Sequence, residues 1–156
     1  MKDLRAILTT GPKPSTKMDN IELEHLLKGY PMTVCYANEF EMKRGHFVIS
    51  NTIKSGERGQ HWVVFYSPRK GPDEYFDSLG RDPEFYRVDF EKRLKRPYFM
   101  NSNQIQDSKS NVCGLYCVYY VMCRYRGQTM RDIVQPFNVK NKLWNDDYVV
   151  NFVNKR

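Results

Sequence analysis

Residues 113–125 read CGLYCVYYVMCRY, a nearly continuous apolar run that is too long for an ordinary strand and too short to span a membrane. Such a segment must be covered on all sides, so it predicts a buried helix starting at Cys113 with the rest of the chain packed around it. The covering material is present: 40% of the 156 residues are hydrophobic and 14% are aromatic, which excludes a disordered chain and suits one ordinary domain over residues 1–156.

The other elements follow from local pattern. Thr9 to Lys17 (TTGPKPSTK) is rich in Pro, Gly and Thr, so residues 1–18 are expected to be an extended N-terminal segment. Asp19 or Asn20 can cap a helix carrying Leu23, Leu26 and Leu27, with Gly29 as its stop. Met32 to Tyr36, His46 to Asn51 and Trp62 to Tyr66 are β-rich apolar runs, the last (WVVFY) the strongest. The turn SPRKGPD then leads into Glu74-Tyr75-Phe76-Asp77, predicting a hairpin-like pair that ends at Asp77. Pro83 to Arg96 has helical spacing and a cationic end, and Thr129 to Gln135 and Asp146 to Asn154 read as two more helices. The class is α+β: a small mixed or antiparallel sheet packed against helices, with the Cys113 helix at its centre.

Chemistry concentrates at few residues. A thiol in the first helical turn feels the positive end of the macrodipole, which favours the thiolate. Cys113 alone among the four cysteines is so placed; Cys117 and Cys123 lie inside the apolar helix and Cys35 in a short strand, where small buried hydrophobes are expected. A thiolate nucleophile needs an imidazole, and of three histidines His25 and His46 read as surface residues. His61 opens the strongest strand after Ser55 to Gln60 (SGERGQ), a flexible stretch by composition, and can be aimed into a cleft at the sheet edge. Antiparallel pairing would bring Asp77 back beside it, the order a triad requires. Taken singly, His61 also reads as a solvated strand-start residue and Asp77 as a turn residue.

Four stretches in order, NTIKSGERGQHW, EYFDSLG, QDSKSNVCG and the apolar helix, resemble the adenain-like cysteine proteases, the superfamily that also holds the ubiquitin-like-protein-specific proteases. The likeness runs from about Ile49 to Val153, and the C-terminal RGQTM, IVQPF and NDDYVVNFV segments look like the adenain-like enzymes of polinton elements, adintoviruses and virophages. The resemblance implies His61 as base, Asp77 as its orienter, Cys113 as nucleophile and Gln106 as side-chain oxyanion donor, with Gln104 a nearby alternative. It further implies that Gly114 admits a closely approaching substrate backbone and that Trp62 packs beside the histidine. Two departures stand out: Asp replaces Glu as the acid, and no cysteine lies between Phe40 and Cys113, so activation through a disulfide-linked peptide is not expected.

The expected function is therefore a cysteine endopeptidase that matures viral or virus-like particles by cutting capsid or core precursors. The rivals are an isopeptidase acting on ubiquitin-like modifiers and, from another class, a basic nucleic-acid-binding domain. Lys and Arg outnumber Asp and Glu by 25 to 18, giving +7, and Lys92, Arg93, Lys95, Arg96, Arg124, Arg126 and Arg131 offer a surface for DNA. No cofactor is expected to be required, with DNA or a peptide as candidate activators. The cysteine spacing completes no zinc site, so no metal is expected either. Without an apolar secretion core or a membrane span, the chain is expected to be an intracellular monomer, at a virus assembly site or in the host nucleus, and carried into the virion.

Overall fold

The structure, a computed structural model, describes residues 18–37, 39–54 and 61–156. Residues 1–17 of the extended segment expected over 1–18, and Ser55 to Gln60, expected from composition to be flexible, lie outside the described residues. In chain order the elements are α1 (Asn20–Leu26), β1 (Met32–Cys35), β2 (His46–Asn51), β3 (Trp62–Ser67), β4 (Glu74–Phe76) and two 3₁₀ turns (Pro83–Tyr86 and Phe90–Arg93). These are followed by β5 (Phe99–Met100), α2 (Cys113–Tyr125), α3 (Met130–Val134) and α4 (Lys142–Asn154).

The five strands form one sheet in the order β1-β2-β3-β4-β5. The outer pairs β1·β2 and β4·β5 are parallel, and the inner pairs β2·β3 and β3·β4 are antiparallel, so the sheet is mixed. The register sets Val64 opposite Ile49 on one side and Phe76 on the other. Both faces of the sheet are covered, which is why β3 reads as an unbroken apolar run rather than an alternating one. Phe47, Ile49, Val64 and Phe76 face α2, whereas Val48, Val63, Phe65 and Tyr75 face a second cluster closed by Phe40, Phe90 and Leu94.

Helix α2 is buried from Cys113 through Cys123, and Phe76 stacks on its Tyr120 with ring centres 4.6 Å apart. Burying a tyrosine requires a partner for its hydroxyl. The Tyr120 hydroxyl donates to Glu74 Oε1 at 2.5 Å, and the Arg124 guanidinium grips both oxygens of the same carboxylate at 2.9–3.1 Å. Asp19 caps α1 by accepting from Glu22 N, and Thr129 and Asp132 form a capping box on α3.

Two expectations need correction. Residues 83–96 do not form one helix, because Arg87 and Asp89 both take left-handed backbone conformations (φ 57° and 61°), which break the path into two short turns. The apolar spacing there serves instead to lay Phe90 and Leu94 on the second face of the sheet. The last helix starts earlier than Asp146: Asn141 caps it through Trp144 N, and it runs from Lys142.

Candidate active site

Three chain segments converge at one end of the sheet. His61 immediately precedes β3 and is tied to the end of β2 by Thr52 N donating to its carbonyl at 2.9 Å. Asp77 immediately follows β4, so the antiparallel β3·β4 pair returns it beside His61. Cys113 is the first residue of α2, the helix packed across that sheet.

The Nε2–H of His61 donates to Asp77 Oδ1 at 2.6 Å, with Asp77 fully buried and His61 7% exposed. The Cys113 side chain lies close enough to the imidazole to raise its pKa. Burial by itself pushes the imidazole toward neutrality, but the hydrogen bonds to Asp77 and Cys113 and their charges outweigh it and hold the His61 pKa at about 9. The imidazolium is thus the favoured form at neutral pH, near a thiol in the first turn of a helix.

Asp77 is itself held from every side. Its Oδ1 also accepts Leu79 N at 2.9 Å, its Oδ2 accepts the Tyr86 hydroxyl, and the Asn101 side chain brackets its backbone. Tyr86 also lies nearly parallel to His61 at 5.9 Å. The turn after Asp77 closes through Gly80 at φ +70°, where a Cβ would sit 2.6 Å from the backbone of Asn103 and Gln104. Only glycine lets the 101–106 segment pass that close.

Gln106 is buried and locked. Its Oε1 accepts the Ser78 hydroxyl at 2.5 Å, and its Nε2 donates to Ser110 O and Oγ at 3.1 and 3.2 Å. Gln104, the nearby alternative, is half-buried and spends its amide on the Gln106 carbonyl at 2.9 Å. Asn145 and Asp146 of α4 anchor the same segment by bonding Ile105 O and Asp107 N.

A cleft of about 380 Å³ opens onto Cys113, with Trp62, Met18 and Glu39 in its walls. The Trp62 indole donates to Met18 O at 2.9 Å and so fixes the start of α1 against the site. Gly114 has a different role from the expected one: a Cβ there would meet Met18 Cβ at 3.1 Å and Leu23 at 3.4 Å. Its smallness admits α1, not a substrate backbone.

The other thiols are free and unsuited to attack. Cys117 is pushed far up by burial, and Cys35 is raised to about 12 by burial and the Glu39 carboxylate. His25 is exposed and His46 bonds Thr33 Oγ1 at 2.7 Å, so neither joins the cluster. Four of the cations expected to meet DNA already have partners: Arg124 on Glu74, Arg93 on Phe40 O and the Phe40 ring, and, in exposed pairs, Lys92 on Asp89 and Arg96 on Glu84. Among the described residues no His, Cys, Asp and Glu group could hold a metal ion, and no helix is long and apolar enough to cross a membrane.

Tyr86, Asn101, Ser78 and Ser110 were not readable as site residues from sequence. Only the adjacency of Ser78 to Asp77 offered a signal.

No protein-family model matches the chain. In sequence it is similar to the protease of bovine adenovirus 4, with 27% identity over 143 residues, covering 75% of this chain and 71% of that one. In structure it is similar to a crystallised ASFV protease, with a TM-score of 0.55 at 15% identity over 92% of this chain and 69% of that one, so the two share a fold. The chain is thus similar in sequence to an adenovirus protease, shares the α+β fold of the ASFV protease, and is a cysteine peptidase.

Proposed function

We propose that the chain acts as one protease domain, an endopeptidase that cleaves capsid or core precursor proteins during particle maturation, with Cys113 as nucleophile, His61 as base, Asp77 as orienter and Gln106 as oxyanion donor. The observation that carries the catalytic part is the imidazole of His61, bonded to the buried Asp77 carboxylate and near enough to Cys113 for that side chain to raise its pKa. His61 takes the proton of Cys113, and the resulting thiolate attacks the scissile carbonyl carbon while the carbonyl π pair moves onto oxygen. Collapse of that intermediate expels the amine, which takes the proton from His61, and leaves a thioester. Water then attacks the thioester, His61 accepts a water proton, and the thiolate departs.

The likeness to an adenovirus protease supports the viral setting, with action at assembly sites in the host cell or nucleus and in the virion. The chemistry needs no cofactor. DNA is a further candidate partner, on the exposed Lys92, Lys95, Arg96, Arg126 and Arg131.

The test compares wild type and Cys113→Ala on capsid precursor polypeptides and on conjugates of ubiquitin-like modifiers. Precursor cleavage that Cys113→Ala abolishes is the expected result. Release of modifier with precursors untouched would replace this reading by an isopeptidase, and hydrolysis unaffected by the substitution would remove Cys113 from the chemistry.

A further inference from the structure

Along β2 successive side chains point to opposite faces of the sheet, so Asn51 follows Phe47 and Ile49 on the face covered by α2, the helix that Cys113 opens. An otherwise apolar row thus ends in an amide, set across the ladder from Trp62. Both side chains line the cleft at Cys113. Asn51 is only 4% exposed, and its amide is held in one orientation, because Ile53 N can only donate and bonds Oδ1 at 3.2 Å. Nδ2 is left with no partner among the described residues, and it is not sealed in the core, so its open side is the cleft. A donor this deep with nothing to bond is costly, and an acceptor that arrives with a ligand removes the cost.

The other wall residues restrict what that acceptor is. The Trp62 indole N–H is already spent on Met18 O. Asp19 and Glu39 each use one carboxylate oxygen, on Glu22 N and Tyr36 N, and keep the second. Among the described residues the wall holds these two carboxylates and no Lys or Arg, which disfavours an anionic ligand and leaves a neutral carbonyl as the fitting acceptor. An extended peptide offers carbonyls and N–H groups in alternation, and this cleft has a donor for the first and acceptors for the second.

We propose that Asn51 is a substrate-binding residue whose Nδ2–H donates to a main-chain carbonyl of the extended substrate, in a peptide unit beside the one that is cut. The inference rests on the reading of Cys113 as nucleophile, which makes this cleft the substrate's path. A bond to an unreacting carbonyl is present in the ground state and the transition state alike, so its loss raises KM and leaves kcat in place. Because the acceptor is main chain, the loss is the same for peptides of different side chains.

The experiment compares wild type and Asn51→Ala, as full chains, on a peptide that the wild type cleaves, and on variants of that peptide in which one amide at a time, near the cut, is replaced by a trans-alkene that has no carbonyl. Alkylation of Cys113 by iodoacetamide, which displaces iodide and needs no peptide, reports whether the nucleophile is intact. Asn51→Ala is expected to raise KM about 3- to 10-fold with kcat within about twofold, as one neutral hydrogen bond predicts, and to keep the wild-type alkylation rate. On one alkene peptide the difference between the two proteins should vanish. An unchanged KM would overturn the proposal, as would a difference that persists on every alkene peptide, or a matching fall in alkylation and kcat, which would make Asn51 a structural support of the site. If the alanine variant does not fold for want of an acceptor for Ile53 N, Asn51→Asp retains that acceptor and replaces the donor by an oxygen; its KM should rise at least as far, and a wild-type KM would overturn the proposal. Cys113→Ala separates the two levels: if it still cleaves the peptide, the nucleophile reading falls and this inference with it, whereas if it is inactive while the Asn51 variants bind like wild type, this inference alone falls.

Discussion

The Asp77 carboxylate is shared between two donors on different segments: its Oδ1 takes the His61 imidazole and its Oδ2 takes the Tyr86 hydroxyl. Both oxygens are buried, so neither partner can be replaced by bulk water. Tyr86→Phe removes one donor and keeps the ring beside His61. The expected outcome is a stability loss of about 1–3 kcal/mol in urea unfolding, from a buried acceptor left unpaired. Turnover should fall as well, since the carboxylate loses one restraint on its direction.

Substitutions of the proposed catalytic groups should be far larger in effect and should not add. Cys113→Ala and His61→Ala are each expected to remove turnover by at least about 10³-fold, and the double variant should be no worse than the poorer single one, because the pair acts as a unit. Asp77→Asn should cost on the order of 10³- to 10⁴-fold while leaving the fold in place, because a neutral amide in its position stabilises neither the tautomer nor the imidazolium. Steady-state kinetics on one peptide substrate checks all four variants.

The His61 pKa of about 9 makes stability depend on pH in a defined direction. The group is raised above its unfolded value near 6.5, so the protonated form binds more favourably in the folded state. Its contribution is complete below about pH 6.5, declines from there toward pH 9 and is gone above it. The contribution is on the order of a few kcal/mol for a buried group of this kind. His61→Gln should therefore destabilise the protein more at pH 6 than at pH 9.5. Thermal unfolding of both proteins across that range is the measurement, and a gap in Tm that widens with pH would contradict the assignment.

Much of this site was legible because it rests on strong local patterns. The run at Trp62 set a strand start beside His61, the Pro- and Gly-rich turn returned the chain at Asp77, and the apolar stretch began near Cys113, but each had an ordinary alternative, and their joint role with Gln106 came from the family resemblance. What was not legible depends on backbone that sequence does not announce. Arg87 and Asp89 adopt left-handed conformations without being glycine, so Pro83 to Arg96 read as a helix, and the turn that aims Tyr86 at Asp77 was hidden with it. The two-residue strand Phe99–Met100 is too short to carry a periodicity. Gly114 was misread because its partner, Met18, lies 96 positions away and is brought there by the bond from Trp62.

Gly80 offers a test of how closely the two halves of the site are packed. Gly80→Ala forces a Cβ to within 2.6 Å of the Asn103–Gln104 backbone at a positive φ, so the 101–106 segment that carries Gln106 must move. Gly71 also has positive φ, but nothing lies within 4 Å of its Cβ position. Gly71→Ala is expected to cost about 1 kcal/mol from backbone strain alone. Gly80→Ala should cost clearly more and should reduce kcat, which denaturant unfolding and turnover measured on the same pair will decide.

The basic residues divide into two groups that mutation can separate. Arg124 is committed to Glu74, whose side chain is only 5% exposed, and Arg93 to the Phe40 carbonyl. Removing Arg124 strands a buried carboxylate with Tyr120 as its remaining partner, so Arg124→Ala should destabilise the protein by about 3 kcal/mol, toward the lower end expected for a broken buried pair. Lys92, Lys95, Arg96, Arg126 and Arg131 are exposed, and an exposed cation contributes little to folding. If DNA is a partner, replacing these five by Gln should leave unfolding nearly unchanged while reducing the slope of log affinity against log salt, by somewhat less than one for each phosphate no longer neutralised. Arg124→Ala should show the reverse: a large fall in stability, and at a temperature where the variant is folded, an unchanged salt slope. Fluorescence titration of a short duplex at several salt concentrations measures the slope, and a slope that the five substitutions leave intact would remove this surface from any role in binding DNA.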